Sequence, residues 1–113
     1  MKVLIADDNK RMRQFIKYII NEQGHTAVEA SNGLMAVDNF LFHKPEIVLI
    51  DIKMGVMDGI EATKLIRKIS SSVKIIMVTD YNDESLKEKS FRAGANDYLL
   101  KENLIDLKKI IHN

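Results

Sequence analysis

Apolar residues fall along this chain in two rhythms that alternate from one end to the other. Val3-Leu4-Ile5-Ala6 and Ile47-Val48-Leu49-Ile50 are short continuous runs, as expected of strands buried on both faces of a parallel sheet. Residues 73–78 and 97–101 predict two more strands. Thr26-Ala27-Val28-Glu29-Ala30 is weaker, and its charge predicts an edge position. Between the runs the spacing becomes helical. Met12, Phe15, Ile16, Ile19 and Ile20 mark a first helix, with Asp8 or Asn9 to cap it and Gly24 to end it. Ser31-Asn32-Gly33 turns the chain into a second helix, with Ala36, Val37, Phe40 and Leu41 facing inward and Pro45 at its exit. Ala62, Leu65, Ile66 and Ile69 mark a third, and Leu104, Leu107, Ile110 and Ile111 the last. Residues 83–93 have helix formers but a poor stripe (Leu86, Phe91, Ala93), which predicts a weakly anchored helix stopped by Gly94.

Five strands alternating with five helices predict an α/β fold with a doubly wound parallel sheet. Right-handed crossovers bring every strand's C-terminal end to one edge, where such sheets bind ligands. That edge collects Asp7-Asp8, Ala30-Ser31, Asp51, Thr79 and Lys101. Burial requires no such set. Asp51 closes the most apolar run of the chain, so it is read as the reacting group.

Composition narrows the choice. The chain has 113 residues, enough for one domain over 1–113 but not two. Having no cysteine excludes disulfides, thiolate metal sites and thiol nucleophiles. A formal net charge of +1 argues against direct nucleic-acid binding and gives no reason to expect a membrane partner. The four apolar residues before Asp7 are too few for a signal or spanning segment, so a cytoplasmic location is expected. His25, His43 and His112 do not fall with the acids and are expected at the surface or at helix ends.

Three neighbouring carboxylates resist joint ionisation, because like charges raise one another's pKa. A hard divalent cation relieves the conflict, and Mg²⁺ takes one or two carboxylates while keeping waters and substrate oxygens. A carboxylate is also a covalent acceptor of phosphoryl groups. Phosphoryl transfer depends on positioning and on stabilising charge spread over the peripheral oxygens. The metal could take one oxygen, the Thr79 hydroxyl or a nearby backbone N–H a second, and the Lys101 ammonium the third.

Asp7-Asp8 after the first strand, Asp51 in Asp51-Ile52-Lys53-Met54-Gly55-Val56-Met57-Asp58-Gly59, Thr79 after the fourth strand and Tyr98-Leu99-Leu100-Lys101 carry a resemblance. Together and in this order they resemble the receiver domains of bacterial two-component response regulators over nearly the whole chain. The resemblance implies a flavodoxin-like three-layer sandwich with strand order 2-1-3-4-5. It implies that Asp51 accepts phosphate from a sensor histidine kinase or phosphotransfer protein. Asp8 and Asp51 would ligate Mg²⁺ directly, Asp7 through water, with the backbone carbonyl of Lys53 as a further ligand. Thr79 would move towards the phosphoryl group, Lys101 would pair with it, and Tyr98 would turn inward. A half-buried core aromatic is the plainer reading of Tyr98. The fourth helix, fifth strand and last helix would signal to an output protein or domain, with a phosphorylation-dependent dimer as one form of output. No catalysis is expected beyond self-phosphorylation and slow hydrolysis of the aspartyl phosphate.

Some positions depart from the family. Gly55 and Glu102 stand where prolines are common, and Asp80 where alanine is. Lys53, Asp80 and Tyr81 are expected to tune the phosphoryl lifetime. The pair Lys53 and Tyr81 resembles the sporulation-relay receiver. Other details, such as Met57-Asp58-Gly59-Ile60-Glu61-Ala62-Thr63, resemble receivers of nitrate-regulator-type helix-turn-helix proteins. The regulatory half of a DNA-binding regulator is therefore an alternative. A Mg²⁺-dependent phosphohydrolase fits poorly, since Ala6-Asp7-Asp8-Asn9 lacks its D-x-D-x-T pattern.

Overall fold

In the computed structural model residues 1–112 are described, and Asn113, the last residue of the expected domain, lies outside the described residues. The chain alternates strand and helix: β1 (Lys2–Ala6), α1 (Lys10–Glu22), β2 (Thr26–Ala30), α2 (Gly33–His43) and β3 (Ile47–Ile50). Then follow α3 (Gly59–Ile69), β4 (Lys74–Thr79), α4 (Glu84–Ala93) and β5 (Asp97–Leu100). The strands pair in parallel in the order β2-β1-β3-β4-β5, so the sheet is doubly wound and parallel, as the residue pattern predicts, with the flavodoxin-like order that the resemblance implies. The charged strand β2 lies at an edge, and its Glu29 is paired with Arg13 and Lys17 of α1.

Strand side chains alternate between the two faces. Leu4, Ala6, Val48, Ile50, Ile75 and Met77 pack with Ala36, Phe40, Ala62 and Ile66 of α2 and α3. Val3, Ile5, Ile47, Leu49, Ile76 and Val78 pack with Ile16 and Ile20 of α1 and with Leu104, Leu107 and Ile111. Each fully buried Leu or Ile stabilises by roughly 1.5–3 kcal/mol. These two layers therefore outweigh the helix caps, each worth about 1 kcal/mol.

Four expectations about inward-facing residues are corrected: Phe15, Leu41, Ile69 and Phe91 are exposed. The buried lines run through Ile16 and Ile20, Ala36, Val37 and Phe40, Ala62 and Ile66, and Ser90 and Ala93. Phe15, Leu41 and Phe91 each stand one residue, about 100° of helix, from such a line. Ile69 is the last residue of α3, at the rim of the layer. The last predicted helix is also corrected. A 3-10 segment over Lys101–Asp106, with non-helical Asn103, precedes a short α5 (Leu107–Ile111). Leu104, Leu107 and Ile111 are buried all the same. Asn9, not Asp8, caps α1 by accepting the Met12 N–H at 3.0 Å. Gln23 is the C-cap, and Gly24 follows with φ +82°. Helix α4 buries only Ser90 and Ala93, as its poor stripe predicts.

One tie escaped the sequence reading. Arg67 of α3 donates to the Gly94 carbonyl from Nε (3.0 Å) and Nη2 (2.7 Å), and from Nη2 to Asn96 Oδ1 (2.8 Å). Its Nη1 donates to the carbonyls of Ser70 (3.2 Å) and Val73 (2.7 Å). Burial lowers the Arg67 pKa. Among the described residues no helix is long and apolar enough to cross a membrane.

Candidate functional site

Strand register assembles the site. Ala6 of β1 stands between Ala30 of β2 and Ile50 of β3, so the next residues on β1 and β3 are Asp7 and Asp51 side by side. Backbone bonds hold both: the Asp7 N–H donates to the Ala30 carbonyl (3.0 Å) and the Asp51 N–H to that of Ala6 (2.9 Å). On the far side of β3, at the same C-terminal edge, Thr79 of β4 pairs with Leu100 of β5, and Lys101 follows.

Each buried carboxylate has one oxygen fixed by backbone. Asp7 Oδ1 accepts the Asn9 N–H at 2.8 Å, and Asp51 Oδ1 accepts the Ile52 N–H at 2.8 Å. Their other oxygens meet Lys101. The ammonium donates to Asp51 Oδ2 at 3.0 Å and lies 2.8 Å from Asp7 Oδ2. The one ammonium thus bridges the two buried carboxylates. Asp8, released from capping, is exposed, and Asp7, Asp8 and Asp51 each offer an oxygen within 4.8 Å of the others. Asp80 Oδ2 stands 4.0 Å from Lys101 on a side chain that is 75% exposed.

The cluster holds more carboxylate charge than Lys101 can balance. Burial pushes the Asp51 pKa up, Lys101 draws it back and the Asp7 charge raises it; the net shift is upward. For Lys101 burial acts downward, but the contacts with Asp7 and Asp51 outweigh it and its pKa rises. At neutral pH the lysine is a fixed cation in an acid-rich pocket.

A second chain of contacts starts at Thr79, which is fully buried and whose Oγ1 accepts the Tyr81 N–H at 3.2 Å. The Tyr98 hydroxyl donates to the Tyr81 carbonyl at 2.6 Å. Burial raises the Tyr98 pKa, and the charges of Asp83 and Asp51 add to the effect. Lys53 is exposed, with its ammonium 5.6 Å from the centroid of the Tyr81 ring, so the loops after β3 and β4 meet above the site. Asp7, Asp8, Asp51 and Lys101 thus form one cluster with Asp80 at its rim, while Thr79, Tyr81, Tyr98 and Lys53 form a neighbouring chain.

Two glycines hold the loop that carries Asp51. The Gly59 N–H donates to the Ile52 carbonyl at 2.8 Å, and a Cβ at Gly59 would stand 1.8 Å from the Asp51 carbonyl oxygen. The Gly33 N–H donates to the Met57 carbonyl at 3.0 Å, where a Cβ would approach to 2.3 Å. Only glycine permits either approach. Sequence reasoning placed Gly33 at a helix start and Gly59 in the motif after Asp51, without this function. The histidines are elsewhere: His25 and His112 meet with ring centroids 5.2 Å apart, and His43 ends α2.

Residues 3–112 match the family described as response regulator receiver domain. This chain is a response regulator receiver domain. The receiver is 38% identical to a chemotaxis protein CheY of Halobacterium salinarum, over 88% of this chain and 83% of that one. It is 33% identical to sporulation initiation phosphotransferase F of Bacillus subtilis, over 93% of this chain and 85% of that one. A solved CheX-CheY-BeF3-Mg+2 complex from Borrelia burgdorferi superposes with a TM-score of 0.88 at 25% identity. That match covers 98% of this receiver and 89% of that chain. The receiver is accordingly CheY-like, the receiver domain of a two-component response regulator.

Proposed function

We propose that this receiver is a phosphorylation switch in which Asp51 accepts a phosphoryl group from phosphohistidine on a sensor kinase or phosphotransfer protein. The observation that carries this reading is a buried carboxylate pair bridged by one lysine, with three carboxylate oxygens within 4.8 Å. The donor set also fits Mg²⁺: it is all oxygen, and its three carboxylates carry more negative charge than Lys101 balances. Asp8 and Asp51 would hold the ion directly and Asp7 through water, with the Lys53 carbonyl completing the protein's share. Bound there, Mg²⁺ supplies charge neutralisation for a phosphoryl oxygen.

The protein's own groups do the rest. As the bond to the donor's imidazole nitrogen breaks, a bond forms from an Asp51 carboxylate oxygen to phosphorus. Lys101, 3.0 Å from Asp51 Oδ2, needs only a short shift to pair with a phosphoryl oxygen. The Thr79 hydroxyl, whose oxygen accepts the Tyr81 N–H, donates its own O–H to another of those oxygens and gives up the N–H bond as it moves towards the phosphoryl group. Loss of that bond loosens the Tyr81 backbone on which Tyr98 is fastened, and thereby biases Tyr98 and the lightly anchored α4. The altered face of α4, β5 and α5 acts on an output protein, an attached domain or a second copy of the receiver. Catalysis is limited to self-phosphorylation and slow hydrolysis, whose rate Lys53, Asp80 and Tyr81 set from the rim.

Intact mass after incubation with acetyl phosphate and Mg²⁺ tests the reading. One phosphoryl group is expected, absent in Asp51→Asn and in the presence of EDTA. Normal labelling of Asp51→Asn would overturn the assignment.

A further inference from the structure

Asp80 stands at the rim of the acid cluster, outside the three carboxylates that could hold a metal. It follows the buried Thr79 at the end of β4, and the Tyr81 N–H bond to Thr79 Oγ1 fixes the backbone around it. Its carboxylate faces the Lys101 ammonium at 4.0 Å, too far for a hydrogen bond, and three-quarters of its side chain is exposed. Lys101 is already held by Asp7 at 2.8 Å and Asp51 at 3.0 Å. Asp80 therefore adds a charge that nothing at the site neutralises fully. An exposed acid after a strand is ordinarily of little consequence, but here one lysine joins it to the proposed acceptor by steps of 3.0 Å and 4.0 Å. That lies within the Debye length of about 8 Å at physiological salt.

We propose that Asp80 is a charge filter at the mouth of the Asp51 site, which slows free dianionic phosphodonors and so favours phosphoryl groups delivered by a docked protein. The inference rests on Asp51 as the phosphoryl acceptor. A unit charge about 8 Å from an approaching donor, in a medium close to water, slows it about twofold per donor charge. The effect is exponential in donor charge, so a dianion is slowed about fivefold where a monoanion is slowed about twofold. A free donor has no further contact to offset this repulsion. A phosphohistidine on a docked protein has the whole interface, and only the local charge is the same.

The filter predicts a dependence on donor charge that a structural role for Asp80 would not give. Phosphorylation rates are measured for the wild-type receiver and the near-isosteric Asp80→Asn, with saturating Mg²⁺ at neutral pH. Acetyl phosphate serves as the dianionic donor and phosphoramidate as the less charged one. Asp80→Asn is expected to speed acetyl phosphate about fivefold and phosphoramidate about twofold at low ionic strength. Both gains should shrink as salt is raised, and Asp80→Lys should widen the difference between donors. Equal acceleration with both donors, no acceleration, or gains insensitive to salt would overturn the filter while leaving Asp51 as the acceptor. Failure of the wild-type receiver to label with either donor would overturn the acceptor reading and the filter together.

Discussion

Arg67→Ala is the substitution whose cost can be worked most directly from the structure. The guanidinium makes five hydrogen bonds to four acceptors, three of them backbone carbonyls and one the Asn96 side chain. Among the described residues no carboxylate pairs with it, so the cation is held by neutral dipoles, three backbone carbonyls and the Asn96 amide oxygen. Asn96 is itself fixed to β4: its Oδ1 accepts the Ile75 N–H at 2.8 Å and its N–H donates to the Ile75 carbonyl at 2.7 Å. The side chain thus ties the C-terminal end of α3 to the start of β4 and to the turn between α4 and β5. Hydrogen bonds from a charged donor are worth about 1.5–3 kcal/mol each, but the sum is not the answer. Water can reach the exposed Ser70 turn, and removing the guanidinium recovers the cost of its partial burial. A net loss of about 3 kcal/mol is expected, a substantial share of the 5–15 kcal/mol typical of a domain. For a chain of this size that lowers the melting midpoint by about 12 °C. Urea unfolding followed by circular dichroism should show a lower midpoint with an unchanged slope. Arg67→Lys should recover less than half of the loss, because a single ammonium cannot fork to four acceptors. A loss below about 1 kcal/mol for Arg67→Ala, or full recovery by lysine, would refute the reasoning.

Two further substitutions probe the site. Asp51→Asn should stabilise the metal-free protein by about 1 kcal/mol at neutral pH, because it removes a buried like charge and leaves Lys101 paired with Asp7. The folded pKa of Asp51 is raised, so the folded state holds the proton more tightly and the wild type loses stability as pH rises from the ordinary carboxylate range through that folded value. Denaturation across pH should therefore show the gap between variant and wild type opening upward in pH and closing when Mg²⁺ is added; a gap that widens towards acid would contradict the sign. Gly55→Ala should stabilise by about 0.4–1 kcal/mol, since Gly55 does not use positive φ and a Cβ there meets nothing within 4 Å. A destabilised variant in thermal melts would show that the glycine is needed.

The parallel sheet, the acid pair and Lys101 could be expected from the residues because parallel pairing converts position at a strand end into position in space, whereas the strand order was implied only by the family resemblance. Asp7, Asp51 and Lys101 need only the register to meet. Helix faces were less legible. Phe15 and Phe91 satisfy a loose apolar spacing, yet one residue's rotation separates them from the buried lines, and chain periodicity does not resolve that step. Arg67 and Asn96 were illegible for a different reason: their partners are mostly main-chain groups, which leave no mark in a sequence. The same holds for Gly59, whose constraint is the distance to a carbonyl oxygen. The second cap candidate, Asp8, became informative only once Asn9 was seen to take the Met12 N–H.

The loop from Asp51 to Asp58 is clamped at Ile52 and Met57 by the N–H groups of Gly59 and Gly33, while its tip at Val56 is 81% exposed with φ +67°. Rigidity and accessibility therefore lie a few residues apart on one short segment. For protein engineering this marks out a graft point. The tip at Gly55 and Val56 is the place for a reporter or recognition sequence beside the proposed acceptor aspartate, whereas even one added methyl group at Gly33 or Gly59 would displace the frame that holds it.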